Sequence, residues 1–217
     1  MKRLECLRAL AGVLTDEIVL TNVGPTRAEW EYVRPHEANL YQAGLGNVVP
    51  MGLGIALGQP QARVVALDGD GSILLIPGSL ATVAAQAPPN YLVVIFDNEA
   101  YESTGGQPSA TARTTDLEVV ARGFGFRDAV TARTVDEFTA AAQRSRAAPG
   151  PSLIVAKVQI GGGRQDLPAG LKPSTMDGKE NKYRFARYVE SQWGRPVLRG
   201  PEYSSGHSPH VRRARPS

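Results

Sequence analysis

The chain has 217 residues, 42% hydrophobic and 21% charged, proportions that fit one soluble domain with a real core and exclude a disordered or membrane-embedded polypeptide. Its formal net charge of +3 invites a nucleic-acid reading, but five of the 24 basic side chains (Arg195, Arg199, Arg212, Arg213, Arg215) and only one of the 21 acidic ones (Glu202) lie in residues 194–217, which leaves 19 basic against 20 acidic ahead of them. The excess therefore belongs to a tail rich in Pro, Gly, Ser and Arg, expected to stay solvated, and the domain, residues 1–193, is not basic.

Residues 1–13 carry leucines near helical spacing, interrupted by Glu5 and Arg8, so they lack the apolar core of a signal peptide. Cys6 is the single cysteine, which excludes an internal disulfide and a thiolate zinc site and fits a reducing compartment. Residues 17–21 read as a strand, and 25–33 as a short helix opened by Pro25. A weak strand follows at 38–42 and an apolar, small-residue helix at 47–58. Residues 63–67 form a strand that runs into Asp68-Gly69-Asp70-Gly71-Ser72. Residues 77–87 read as helix, and 91–96 as a strand buried on both faces. Further on come a helix at 116–122, a short strand at 126–130, and a helix at 134–147 with the capping-box pair Thr134 and Glu137. A strand at 152–158 and a charged amphipathic helix at 179–193 complete the pattern. The alternation predicts an α/β fold of three layers, a mainly parallel sheet with helices on both faces. No stretch approaches the ~18 apolar residues of a membrane span, so neither membrane nor nucleic acid is expected as a partner, and the cytoplasm is the expected location.

In such sheets ligands bind beyond the carboxyl ends of the strands. Two segments meet that rule, Asp68–Ser72 and residues 97–106. Two glycines around Asp70 allow a sharp turn and close backbone approach, and the N–H groups of a following helix start can hold phosphate oxygens. An aspartate aimed at the same place repels phosphate unless a cation lies between, which points to Mg²⁺ with oxygen ligands. Asn98 lies 28 residues after Asp70, past one helix and one strand. In a parallel βαβ unit both loops emerge at the same sheet end, so Asn98 can offer an oxygen to the same cation, with a backbone carbonyl just beyond as a third ligand.

These residues resemble a known family. Gly69-Asp70-Gly71-Ser72, the spacing to Asn98, and the run from Asn98 through Glu99-Ala100-Tyr101-Glu102-Ser103-Thr104-Gly105-Gly106-Gln107 are similar to the signature of thiamine-diphosphate enzymes, and more narrowly to the phosphonopyruvate and sulfopyruvate decarboxylase group, in its beta-type subunit. The resemblance covers roughly residues 15–160, including the stretch from Thr21 to Arg27. It implies the diphosphate-binding half of the enzyme. Asp70, Asn98 and the backbone oxygen of Ala100 would ligate Mg²⁺. Gly69, Gly71 and Ser72 would lie against the diphosphate, and Asn22, Gly24, Gly44, Gly46 and Tyr101 would line the cofactor site. Leu45 would sit as the bulky apolar residue that bends the cofactor, with Tyr101 and Glu102 beside it in the catalytic region. Tyr101 stands where the family often has His, and a tyrosine carries protons poorly near neutral pH. Gly44 to Val49 also departs from the usual Gly-Ser-Met-Gly run; both departures bear on the substrate.

The resemblance further implies a hetero-oligomer. A pyrimidine-binding partner subunit would supply the glutamate that activates thiamine diphosphate, and a small 2-oxo acid would be decarboxylated without oxidation. Carboligation by the same cofactor and a noncatalytic structural subunit are the alternatives, and an anion-binding module acting through the Arg-rich tail is a third. Other features read as structure. Gly52, Gly54 and Gly58 mimic a dinucleotide fingerprint but lack the preceding strand. His36, His207 and His210 form no metal pattern, and Arg122, Arg127 and Arg133 read as surface charges.

Overall fold

A computed structural model describes residues 1–171, Ser174, 176–194 and Val197. The rest of the tail expected from the sequence, with His207 and His210, lies outside the described residues. The elements run α1 (Arg3–Val13), β1 (Ile18–Asn22), α2 (Pro25–Val33), β2 (Asn39–Ala43), α3 (Val48–Gly58), β3 (Val64–Gly69), α4 (Asp70–Ile73), α5 (Gly78–Gln86), β4 (Tyr91–Asp97), β5 (Ala100–Tyr101), β6 (Gln107–Pro108), α6 (Leu117–Gly123), β7 (Asp128–Ala132), α7 (Val135–Ala147), β8 (Ser152–Lys157) and α8 (Gly178–Trp193). Six strands form one sheet in the order β2-β1-β3-β4-β8-β7, every pair parallel.

Because side chains alternate across a strand, the sheet builds two cores. Ile18, Val64, Val93 and Leu153 point to the face covered by α3, α5, α6 and α8. Val19, Val65, Val94 and Ile154 point to the face covered by α1, α2 and α7, where Trp30 and Phe138 are fully buried. The three-layer α/β fold is the one the sequence pattern implies. β4, buried at all seven positions, is central, as its unbroken apolar run requires. The capping box at Thr134 and Glu137 starts α7. Edge strand β2 is covered by α8: Tyr41 N donates to Asn181 Oδ1 at 2.7 Å, and Asn181 Nδ2 donates to Asn39 O at 3.0 Å. This amide occupies ladder positions that a bare edge leaves open.

Three local differences separate structure from sequence reading. The helix start after β3 lies inside the Asp68–Ser72 segment, as the single turn α4 from Asp70, while the helix expected at 77–87 runs Gly78–Gln86. The strand expected at 126–130 starts at Asp128, because Phe126 N bonds back to Ala121 O at 3.0 Å and its ring is buried under α6. The segment after β4 folds into a small antiparallel hairpin, β5–β6, which its glycine-rich composition did not announce. Among the described residues no helix is long and apolar enough to cross a membrane.

Candidate functional site

From β1 the chain moves outward to β2, and then α3 carries it back to β3 on the other side of β1. The carboxyl ends of β1 and β3 thus flank the topological switch point, where a crevice opens. Asn22 ends β1, Asp70 follows β3 directly, and Asn98 follows β4. The hairpin β5–β6 folds over this end, its turn closed by Gly106 N donating to Tyr101 O at 3.0 Å. The result is a cleft of about 200 Å³.

Asn22, Leu45, Gly69, Asp70, Gly71, Ser72, Asn98, Ala100, Tyr101 and Glu102 all line it. Three expected residues do not. Gly24 caps α2 at a φ of 106° and lines the neighbouring cleft beside Arg27 and Tyr32. Gly44 and Gly46 stand behind the wall, and Gly46 N donates to Ser72 Oγ at 2.8 Å. That bond ties the segment bearing Leu45 to the turn bearing Asp70. Leu45 itself is 43% exposed and points into the cleft rather than into either core. A core role for this leucine is thereby excluded.

The floor is electrostatically unusual. Asp70 is 3% exposed; burial raises its carboxyl above the ordinary value, and nearby Asp97 pushes the same way. Its Oδ2 accepts from Ser109 Oγ at 2.6 Å, and Thr111 Oγ1 lies 3.2 Å from it. Asp68, fully buried, is pushed up to about 6 by burial, against the opposing pull of the Ser72 hydroxyl, the Gly69 N–H and the Asn22 amide. Its Oδ2 has no hydrogen-bond partner, and neither has Asn22 Oδ1. Two buried carboxylates beside an open cleft suit a divalent cation, which lowers the repulsion between them.

Asn98 is held from both sides. Its Oδ1 accepts from Ala100 N at 3.2 Å, and its Nδ2 donates to Glu102 Oε2 at 2.8 Å. Glu102, expected in the catalytic region, has both oxygens engaged, since Oε1 accepts from Gly161 N at 2.9 Å. Its geometry makes it a brace for Asn98. Behind it Arg3 Nε donates to Glu29 Oε2 at 2.7 Å, and Glu29 Oε1 accepts from Gly163 N. Both partners of this ion pair are nearly fully buried. The edge of the Tyr101 ring abuts Gly71: a Cβ there would come within 2.6 Å of the ring, closer than the present packing accommodates.

The donor set fits a hard cation bridging to phosphate. Asp70, Asn98 and the Ala100 backbone offer oxygen only, and the walls add the Ser72 hydroxyl, the Gly71 backbone and the unpartnered Asn22 Oδ1. Sequence reasoning missed Ser109, Thr111, Lys157 and Arg3 behind this shell, and gave Asp97, the first residue of a candidate segment, no role of its own. Serines and threonines in a Gly/Pro-rich run carry no distinctive signal, and their contacts exist only once the hairpin has folded.

The description "Thiamine pyrophosphate enzyme, C-terminal TPP binding domain" matches residues 27–156. The chain is 36% identical over 190 residues to sulfopyruvate decarboxylase subunit beta of Methanothermobacter thermautotrophicus, which covers 87% of this chain and 96% of that one. It is 35% identical over 187 residues to phosphonopyruvate decarboxylase of Streptomyces hygroscopicus, covering 86% of this chain and 45% of that enzyme. Among solved structures, benzoylformate decarboxylase from Polynucleobacter necessarius superposes with a TM-score of 0.63 at 24% identity, over 80% of this chain and 34% of that one. The chain therefore spans about a third of that solved chain, and this likeness speaks for the fold alone. The chain belongs to the thiamine pyrophosphate enzyme family, as its C-terminal, TPP-binding domain. Its cofactor is thiamine diphosphate.

Proposed function

We propose that this chain is the diphosphate-binding subunit of a thiamine-diphosphate-dependent decarboxylase that acts on a 2-oxo acid of the phosphonopyruvate or sulfopyruvate type. The observation that carries the proposal is the meeting of Asp70, Asn98 and Ala100 in one cleft at the switch point of the sheet. In this reading Asp70, Asn98 and the Ala100 carbonyl hold Mg²⁺, and Gly69, Gly71 and Ser72 lie against the diphosphate. Leu45, exposed on the wall, props the cofactor's rings. Tyr101 covers the mouth, and Glu102 keeps the Asn98 amide in orientation. When bound, the cofactor supplies the nucleophile and the electron sink for loss of carbon dioxide. The chain's own contribution is to anchor, bend and shield.

A partner subunit completes the site. The relatives named as beta subunits support this, and so does charge. Arg3 is the single basic side chain lining the cleft among the described residues, and Glu29 already neutralises it. A substrate bearing a carboxylate and a phosphonate or sulfonate needs further cations. In our reading the partner provides them, together with the activating glutamate. In this reading residues 1–193 form the domain, and the assembly works in the cytoplasm, where the chain's one thiol, the buried Cys6, stays reduced.

The test is calorimetric titration of thiamine diphosphate into this chain with and without Mg²⁺, repeated with co-expressed candidate partners, followed by product analysis on sulfopyruvate and phosphonopyruvate. Mg²⁺-dependent binding, and an aldehyde formed only with a partner, are expected. A longer hydroxyketone product would mean carboligation. Turnover by the chain alone would refute the split site.

A further inference from the structure

Asp70 is fixed from behind by groups that never reach the cleft. Ser109 and Thr111 are both buried and lie 2.8 Å apart, oxygen to oxygen. Ser109 Oγ donates to Asp70 Oδ2 at 2.6 Å. Thr111 Oγ1 lies 3.2 Å from that same oxygen and 2.7 Å from Asp97 Oδ1. Two hydroxyls carry two protons, and the two shortest contacts assign them: Ser109 to Asp70, Thr111 to Asp97. Lys157 Nζ lies 2.8 Å from the other oxygen of Asp97, Oδ2. The same ammonium lies 2.7 Å from Glu99 Oε1. Glu99 has a φ of 62°, uncommon outside glycine, and sits between Asn98 and Ala100. One lysine on β8, outside the cleft, thus contacts the supports of both halves of the ligand set.

We propose that Ser109, Thr111, Asp97 and Lys157 are positioning residues of the cation site. Ser109 fixes Asp70 Oδ2 and leaves Oδ1 for the cleft, and Thr111, bonded to Asp97, pairs with Ser109 at 2.8 Å. Lys157 holds that pair through Asp97 and holds the Asn98–Ala100 turn through Glu99. This rests on the reading of Asp70, Asn98 and Ala100 as ligands. Mg²⁺ demands near-ideal octahedral geometry, whereas Ca²⁺ tolerates irregular shells. Loosened positioning therefore harms Mg²⁺ selectively, while a general loss of structure harms both ions alike.

The experiment titrates Mg²⁺, and separately Ca²⁺, into the full chain with saturating thiamine diphosphate, reading heat, with thermal unfolding measured alongside. The variants are Thr111→Val, Thr111→Ser and Lys157→Met. Loss of an outer-shell partner weakens metal affinity roughly 10- to 100-fold. For Thr111→Val and Lys157→Met we expect a loss of that size for Mg²⁺, a smaller one for Ca²⁺, and near-wild-type binding for Thr111→Ser. Unchanged Mg²⁺ affinity, or equal losses for both ions, would overturn the proposal. If Thr111→Val does not fold, the part-exposed Lys157→Met and the rescue variant decide it. A wild-type chain that takes up neither ion with thiamine diphosphate refutes the ligand reading itself, and this proposal with it.

Discussion

Replacing Asp70 by asparagine gives effects of opposite sign on stability and on binding. Asparagine keeps the shape and still offers an oxygen to Ser109, but it removes a charge disfavoured by burial and by Asp97. Without ligand the variant gains on the order of 0.5–2 kcal/mol, the usual yield of relieving a strained site. The sign with pH follows from the raised carboxyl. A group protonated more readily in the fold than in the unfolded chain favours the fold while protonated and loses that contribution as pH rises through its folded value. The advantage of Asp70→Asn is therefore absent in acid, where both chains are neutral at this position, and full at neutral pH. With ligand the order reverses. At ~100 times Kd of Mg²⁺ and thiamine diphosphate the wild type gains about 2.7 kcal/mol, roughly 5–11 °C in Tm for a chain of this size. The variant, lacking the anionic ligand, gains little. Thermal unfolding with and without ligand at acid and neutral pH reads all four conditions. An Asp70→Asn chain that responds to ligand as fully as the wild type refutes the assignment of Asp70 as the anchor.

Asp68→Asn should flatten the stability–pH curve. Asp68, pushed up to about 6, favours the fold below the ordinary carboxylate range and loses that contribution as pH climbs toward 6; urea unfolding between pH 4 and 7 should show a slope in the wild type that the variant lacks. Arg3→Met leaves Glu29 buried with no countercharge and should destabilise by about 3–5 kcal/mol in denaturant titration; a change below ~1 kcal/mol would mean that the Gly163 N–H suffices for Glu29. Gly71→Ala brings a Cβ within 2.6 Å of the Tyr101 ring and should cost about 1–3 kcal/mol and weaken cofactor binding. Adding Tyr101→Ala should restore the stability, and no recovery in the double variant would place the strain in the backbone.

The fold was legible because its signals are local and repeated. Apolar runs at 63–67 and 91–96 flanked by helical segments define a parallel sheet almost regardless of detail, and the capping box at Thr134 fixes a helix start. What failed was local too. Phe126 looked like the first strand residue, yet it closes α6, because an apolar side chain fits a helix end as well as a strand. The hairpin β5–β6 is two residues per strand, too short for any periodicity to show. At the site, Asp70 and Asn98 stood out because an acid between glycines and an amide at a strand end are chemically odd. Thr111 and Lys157 are ordinary residues, 46 apart in the chain, that the sheet and the hairpin bring to one carboxylate. No single-sequence pattern encodes such a pairing.

The irregularities of the structure mark the same place without any motif. Of the five buried side-chain oxygens without a partner among the described residues, three, Thr21 Oγ1, Asn22 Oδ1 and Asp68 Oδ2, lie at the carboxyl ends of β1 and β3. Glu99, in the left-handed region, belongs to the loop at the end of β4. Leu45, Leu75 and Ile76 are exposed large apolar side chains at the same end of the sheet, and the first two line the cleft. The helix caps, the two cores and the covered edge at β2 obey their local rules. A sequence selected for stability alone has no reason to gather buried carboxylates, orphaned acceptors and exposed leucines at one sheet end, since each costs free energy. In the proposed reading a cation meets Asp70 and the cofactor's rings meet Leu45 and Leu75, the members of this group that line the cleft together with Asn22.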